Sequence, residues 1–148
     1  MKDTYKSFIV PAGKYWLADP CYIVTGKQGY EDWSAYCFEL AAADETAEFA
    51  LNGYYADLPD GTKVLSFSTA HGDGHYHDQL GTGYSVDSGW LGLVPYEYKP
   101  DYSPREGGGQ LIEFFEETLC FTRDGILTFG SYIIDTAAET YGTDGMEL

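Results

Sequence analysis

Leu119-Cys120-Phe121-Thr122-Arg123-Asp124-Gly125-Ile126-Leu127-Thr128-Phe129 carries the strongest turn signal in the chain. Two β-prone runs flank Asp124-Gly125, and an Asp-Gly pair supports the positive φ angles that a tight hairpin needs. Pairing across that turn sets Cys120, Leu127 and Phe129 on one face, with the second strand continuing to residue 135. Working outward, the same β character recurs over residues 62–69, 84–87, 90–98 and 111–117. At the other end, Tyr5-Lys6-Ser7-Phe8-Ile9-Val10 alternates, Pro11-Ala12-Gly13 turns, and Lys14-Tyr15-Trp16-Leu17-Ala18 forms a second strand. Asp19-Pro20 ends that strand, because proline lacks an amide donor and pushes its predecessor out of helical geometry.

One segment departs from this pattern. Trp33, Tyr36, Cys37, Leu40 and Ala41 recur at three- and four-residue steps, which predicts an amphipathic helix over residues 31–43 with Glu31 and Asp32 in its first turn. The expected class is therefore α+β: a twisted antiparallel sheet or small sandwich covered by one principal helix. Residues 99–110, with Pro100, Pro104 and three consecutive glycines, read as a loop. The chain reads as one domain over 1–148, with a loose tail over 139–148.

A hydrophobic fraction of 44% with fourteen Tyr and eight Phe is too apolar for a disordered acidic chain, so the protein folds. No apolar run approaches the roughly 18 residues of a membrane span, and the start leads to no signal-type segment. The expectation is a soluble, cytoplasmic protein. Cys21, Cys37 and Cys120 form an odd set without Cys-x-x-Cys spacing, which argues for reduced packing residues over a disulfide or zinc framework.

Charge excludes more. Twenty-four acids against eight bases leave a formal charge of −16, which disfavours direct contact with nucleic acid or an anionic membrane and favours a basic protein partner. Between Lys27 and Lys63 lie Glu31, Asp32, Glu39, Asp44, Glu45, Glu48 and two further acids with no intervening base. Such a run serves either as a solvated face or as a recognition field.

The densest polar cluster is His71-Gly72-Asp73-Gly74-His75-Tyr76-His77-Asp78. On an extended segment His75 and His77 share a face, as two ligands of one metal ion do, and Asp73 or Asp78 would add a carboxylate. The same composition also describes an ordinary turn. The ligand pattern of a helix-loop-helix calcium site is missing, as is the Gly-x-Ser-x-Gly nucleophile elbow. Neither Gly107-Gly108-Gly109 nor Gly81-Thr82-Gly83 completes a phosphate-binding or dinucleotide motif.

Taken together, Ala18-Asp19-Pro20-Cys21-Tyr22, Gly72-Asp73-Gly74-His75-Tyr76, Tyr84-Ser85-Val86-Asp87-Ser88-Gly89 and Phe129-Gly130-Ser131-Tyr132 resemble, in this order, the recurring segments of a family of small uncharacterised bacteriophage and bacterial proteins. Asp19, Asp73, Tyr76, Asp87 and Gly89 match its recurring positions, whereas the three histidines fall outside them. The resemblance implies a phage-type accessory role. Joined to the charge, it gives the leading expectation: a binding protein rather than an enzyme, without a cofactor, which inhibits a basic, nucleic-acid-binding host protein by DNA mimicry, in the manner of an anti-CRISPR protein. Glu31, Asp32, Glu39, Asp44, Glu45 and Glu48 are its expected contact residues. The alternative is a carboxylate pocket of Asp19, Asp73, Tyr76 and Asp87 holding a divalent cation, a nucleotide or another small molecule, as a sponge or a cation-dependent hydrolase. A third reading is a virion or assembly component.

Overall fold

The computed structural model describes residues 5–24, 53–58 and 61–137, apart from the side chains at 5, 106 and 107. Strands follow one another as β1 (Tyr5–Val10), β2 (Gly13–Ala18), β3 (Gly53–Asp57), β4 (Lys63–Ser68), β5 (Gly74–His77), β6 (Gly83–Val86), β7 (Trp90–Pro95), β8 (Gln110–Phe114), β9 (Thr118–Arg123), β10 (Ile126–Phe129) and β11 (Tyr132–Asp135). They build a four-stranded sheet in the order β1-β9-β10-β11, a five-stranded sheet in the order β3-β4-β7-β2-β8, and the hairpin β5-β6. All pairings within these sheets are antiparallel. The hairpin that anchors the sequence reading forms with Arg123 opposite Ile126, and Asp124 and Gly125 adopt φ of 54° and 88°. Two consecutive positive φ values are what a two-residue turn between right-twisted strands requires.

The α+β expectation is corrected. Of the described residues 57% are strand and 8% helical, and no helix among them reaches seven residues; α1 (Pro104–Gly107) has four. The helix expected over 31–43 lies outside the described residues. The two large sheets supply each other's apolar cover, so no helical layer is needed between them. Leu17, Leu65, Phe67, Leu91 and Leu93 of one sheet share a core with Val10, Cys120, Leu127, Phe129 and Ile134 of the other. Phe67 and Phe129 meet across it with ring centres 5.5 Å apart. Each such side chain contributes about 1.5–3 kcal/mol by leaving water.

The back of the five-stranded sheet is buried too, so β2, β4 and β7 are buried along most of their length without alternation, Ser66 and Ser68 of β4 included. Trp16, Val64 and Val94 face a second core with Ile23, Val24, Leu58 and Tyr102. Among the described residues the cover here is irregular chain and short 3-10 turns. Trp16 Nε1 donates to Lys99 O at 3.0 Å and its ring meets Tyr102 edge-on at 5.1 Å, laying the 96–102 segment across β2.

The β5-β6 hairpin closes the edge of β11. Gln79 N donates to Ile133 O at 3.1 Å, its side chain accepts from Ile133 N at 2.8 Å, and its Nε2 donates to Ser131 O at 2.6 Å. Unpaired strand groups that would otherwise recruit another chain are thereby satisfied. No helix among the described residues is long and apolar enough to cross a membrane.

One polar group in the main core stands out. Thr122 is buried and its Oγ1 has no hydrogen-bond partner among the described residues. Replacing an unsatisfied buried hydroxyl by a methyl of the same shape removes a desolvation penalty. Thr122→Val should therefore raise stability by about 1 kcal/mol, which thermal unfolding reads as a Tm increase of about 3 °C. An unchanged or lower Tm contradicts this.

Candidate functional site

The end of β2 and the loop after β6 are joined through one carboxylate. Asp19 is wholly buried. Its Oδ1 accepts from Cys21 N at 2.9 Å and Ser88 Oγ at 2.7 Å, and its Oδ2 from Asp87 N at 2.7 Å and Ser88 N at 2.9 Å. The Asp-Pro sequence explains the first contact: Asp19 caps the 3-10 turn Pro20–Tyr22 while proline takes a position that needs no donor. Tyr22 then donates its hydroxyl to Asp87 Oδ2, closing the ring of contacts. Burial and the bond to Asp87 push the Tyr22 hydroxyl well above its usual range. Burial, followed by the charge of Asp19, does the same to the Cys21 thiol, which stays protonated and unsuited to nucleophilic attack.

The residues expected to form a carboxylate pocket are thus only partly gathered. Asp19 and Asp87 meet through the loop, but Asp19 spends both oxygens on protein donors. Tyr76 is buried and donates to Gly72 O at 3.0 Å, while Thr69 N donates to Gly89 O at 3.0 Å, so the 69–76 turn and the 87–89 loop are neighbours. Asp73 is exposed on that turn. No group of three or more His, Cys, Asp or Glu among the described residues could hold a metal ion.

Sequence reasoning missed the role of a second buried carboxylate. Asp78 accepts from Leu80 N at 2.9 Å and Thr82 N at 3.0 Å with one oxygen, and from Tyr84 Oη at 2.8 Å and Gln110 Nε2 at 3.1 Å with the other. Burial, with Asp78 adding to it, pushes the Tyr84 hydroxyl up, although the Gln110 contact works against this. The available signal was Asp78-Gln79-Leu80-Gly81, an Asx-type turn with glycine at its fourth position. Of the histidines, His71 faces Ala137 O at 3.3 Å, while His75 and His77 lie together on the exposed face of β5. Burial and the neighbouring His77 lower the pKa of His75.

A cleft of about 430 Å³ opens near the ends of β2, β4 and β7, lined by Tyr15, Tyr55, Lys63, Pro95, Glu97 and Tyr98 among others. Burial pushes the Tyr15 hydroxyl to about 12, and it donates to Pro11 O at 2.7 Å. Lys63 Nζ lies 4.7 Å from the centre of the Tyr55 ring. Lys6 and Lys14 lie 5.9 and 6.0 Å from the rings of Tyr54 and Tyr96. Tyrosine faces on this sandwich thus attract cations, as the ring quadrupole dictates.

The expected contact acids Glu31, Asp32, Glu39, Asp44, Glu45 and Glu48 lie outside the described residues. No protein-family model, curated protein or solved structure matches the chain.

Proposed function

We propose that the protein is a binding protein that occupies the basic, nucleic-acid-binding surface of a partner in the cytoplasm, as a phage-type inhibitor of a host defence effector such as a CRISPR nuclease. One observation carries this reading: a formal charge of −16, more than half of it carried by residues other than the described ones. Ten exposed acids on the described fold are interleaved with six bases, three of which lie over tyrosine rings. The rest of the sequence, beyond the described residues, holds eleven acids against two bases and includes the uninterrupted run through Glu31, Asp32, Glu39, Asp44, Glu45 and Glu48. Carboxylates presented together replace phosphates on a basic surface without any chemical step.

The polar interior supports binding over catalysis. Asp19 and Asp78 are consumed in holding loops, and the Cys21 thiol is kept protonated. The phage-type assignment itself rests on the resemblance in the Asp19, Asp73 and Asp87 segments.

Capture of a partner from host lysate at low and high salt tests the reading. The complex should weaken steeply as salt rises, because exposed charges are screened within about 10 Å at 0.1 M salt. Replacing the six acids at 31, 32, 39, 44, 45 and 48 by their amides should reduce affinity at least tenfold and flatten the salt dependence. A complex indifferent to both salt and these substitutions overturns the proposal.

A further inference from the structure

The geometry points to a transition-metal site on the β5-β6 hairpin, in which His75 and His77 chelate one borderline divalent cation of the zinc, nickel or copper type. Both imidazoles project from the exposed face of β5, two positions apart, and their ring centres are 4.9 Å apart with planes at 76°. An ion bound at about 2.0–2.1 Å from each ring nitrogen would sit about 3.2 Å from each ring centre. Ligand angles between 90° and tetrahedral then place the centres about 4.5–5.2 Å apart, which brackets the observed value.

The surroundings orient the rings. His75 Nδ1 faces Ser85 Oγ at 3.2 Å on the neighbouring strand, where Ser85 pairs with His75. An imidazole whose Nδ1 is engaged by a hydroxyl presents Nε2 outward, the usual second contact of a metal-bound histidine. That Nε2 overhangs Gly83, the cross-strand partner of His77. A methyl group on Gly83 would lie 2.9 Å from His75 Nε2 and 3.6 Å from His77 Cδ2, the carbon bonded to His77 Nε2. The glycine therefore leaves open the space beside His75 Nε2 and the Cδ2 edge of His77, into which an ion held by both rings would have to fit.

Two protein ligands leave the other coordination positions to water or to a group brought by a partner, so this is an open, exchangeable site and not a structural one. It is independent of the charge-based reading above. Imidazole suits zinc, copper and nickel, whereas calcium and magnesium take oxygen.

Calorimetric titration of the untagged, chelator-stripped chain with zinc chloride tests the site. One zinc per chain should bind, and His75→Ala and His77→Ala should each weaken binding at least tenfold. His71→Ala should leave it unchanged. Gly83→Ala, which keeps both histidines, should also weaken binding at least tenfold while the near-ultraviolet dichroism of the fold is retained. The chain's carboxylates would give a looser heat that calcium chloride reproduces and that neither histidine substitution alters. If that is the whole signal, or if zinc affinity survives both His75→Ala and His77→Ala, the site does not exist.

Discussion

Asp19→Asn should destabilise the protein by about 2 kcal/mol although it changes almost no volume, because three of the groups facing the side chain are backbone amides, which can only donate. Cys21 N, Asp87 N, Ser88 N and the Ser88 hydroxyl all point at carboxylate oxygens between 2.7 and 2.9 Å away. An amide keeps one acceptor and turns the other oxygen into an NH₂ group, which then opposes buried donors. Placed at Oδ2 the NH₂ opposes Asp87 N and Ser88 N; placed at Oδ1 it opposes Cys21 N, while the Ser88 hydroxyl can turn to accept from it. Asp19→Ala removes all four bonds and leaves a small cavity as well, so it should lose about 3–5 kcal/mol. Against a total stability of about 5–15 kcal/mol, either change is a large fraction. Urea unfolding monitored by tryptophan fluorescence gives the midpoints. Asp73→Asn, on an exposed turn, should fall within about 0.5 kcal/mol of wild type. Equal midpoints for Asp19→Asn and Asp73→Asn would mean that the Asp19 junction does not hold the loops.

That junction shows what the sequence makes legible. Asp19 before Pro20 announces a strand end with a capping carboxylate, and the structure uses it so. Its remote partners Asp87 and Ser88 carry no local mark, since nothing across a separation of 68 and 69 positions fixes which donors a buried Asp will meet. The Asp124-Gly125 hairpin is readable because its chemistry is contained in four residues. By contrast, β3 is short and opens with Gly53, and β5 holds two histidines and a glycine among four residues. Pairing with β4 and β6 makes them strands, and propensity does not. The apolar run Tyr15-Trp16-Leu17-Ala18 does signal a strand covered on both faces. It leaves the nature of the cover open, and the described structure supplies loops from 20–24 and 96–102. For the candidate sites, sharing of a face by His75 and His77 follows from strand periodicity. The opening at Gly83 requires the cross-strand register.

Gly92→Ala should abolish the native fold, or cost at least about 4 kcal/mol if any folded protein remains, a large effect for a single methyl group. Gly92 sits in β7 opposite Ser66 of β4, in the middle of the five-stranded sheet. A Cβ there would lie 1.8 Å from Leu65 O, 2.8 Å from Leu65 C and 2.9 Å from Ser66 Cα. All three atoms are backbone, so no rotamer change relieves the overlap. The strands must part, and β4-β7 pairing carries Leu65, Phe67, Leu91 and Leu93 into the shared core. Gly81 separates this effect from glycine's conformational freedom. It has φ of 93° with nothing within 4 Å of an added Cβ, so Gly81→Ala carries only the backbone term, about 1–2 kcal/mol. Thermal unfolding of the two variants side by side should show a modest Tm decrease for Gly81→Ala and no cooperative transition, or one displaced by more than 10 °C or so, for Gly92→Ala. If Gly92→Ala unfolds no earlier than Gly81→Ala, β4 and β7 do not approach as closely as the sheet register requires.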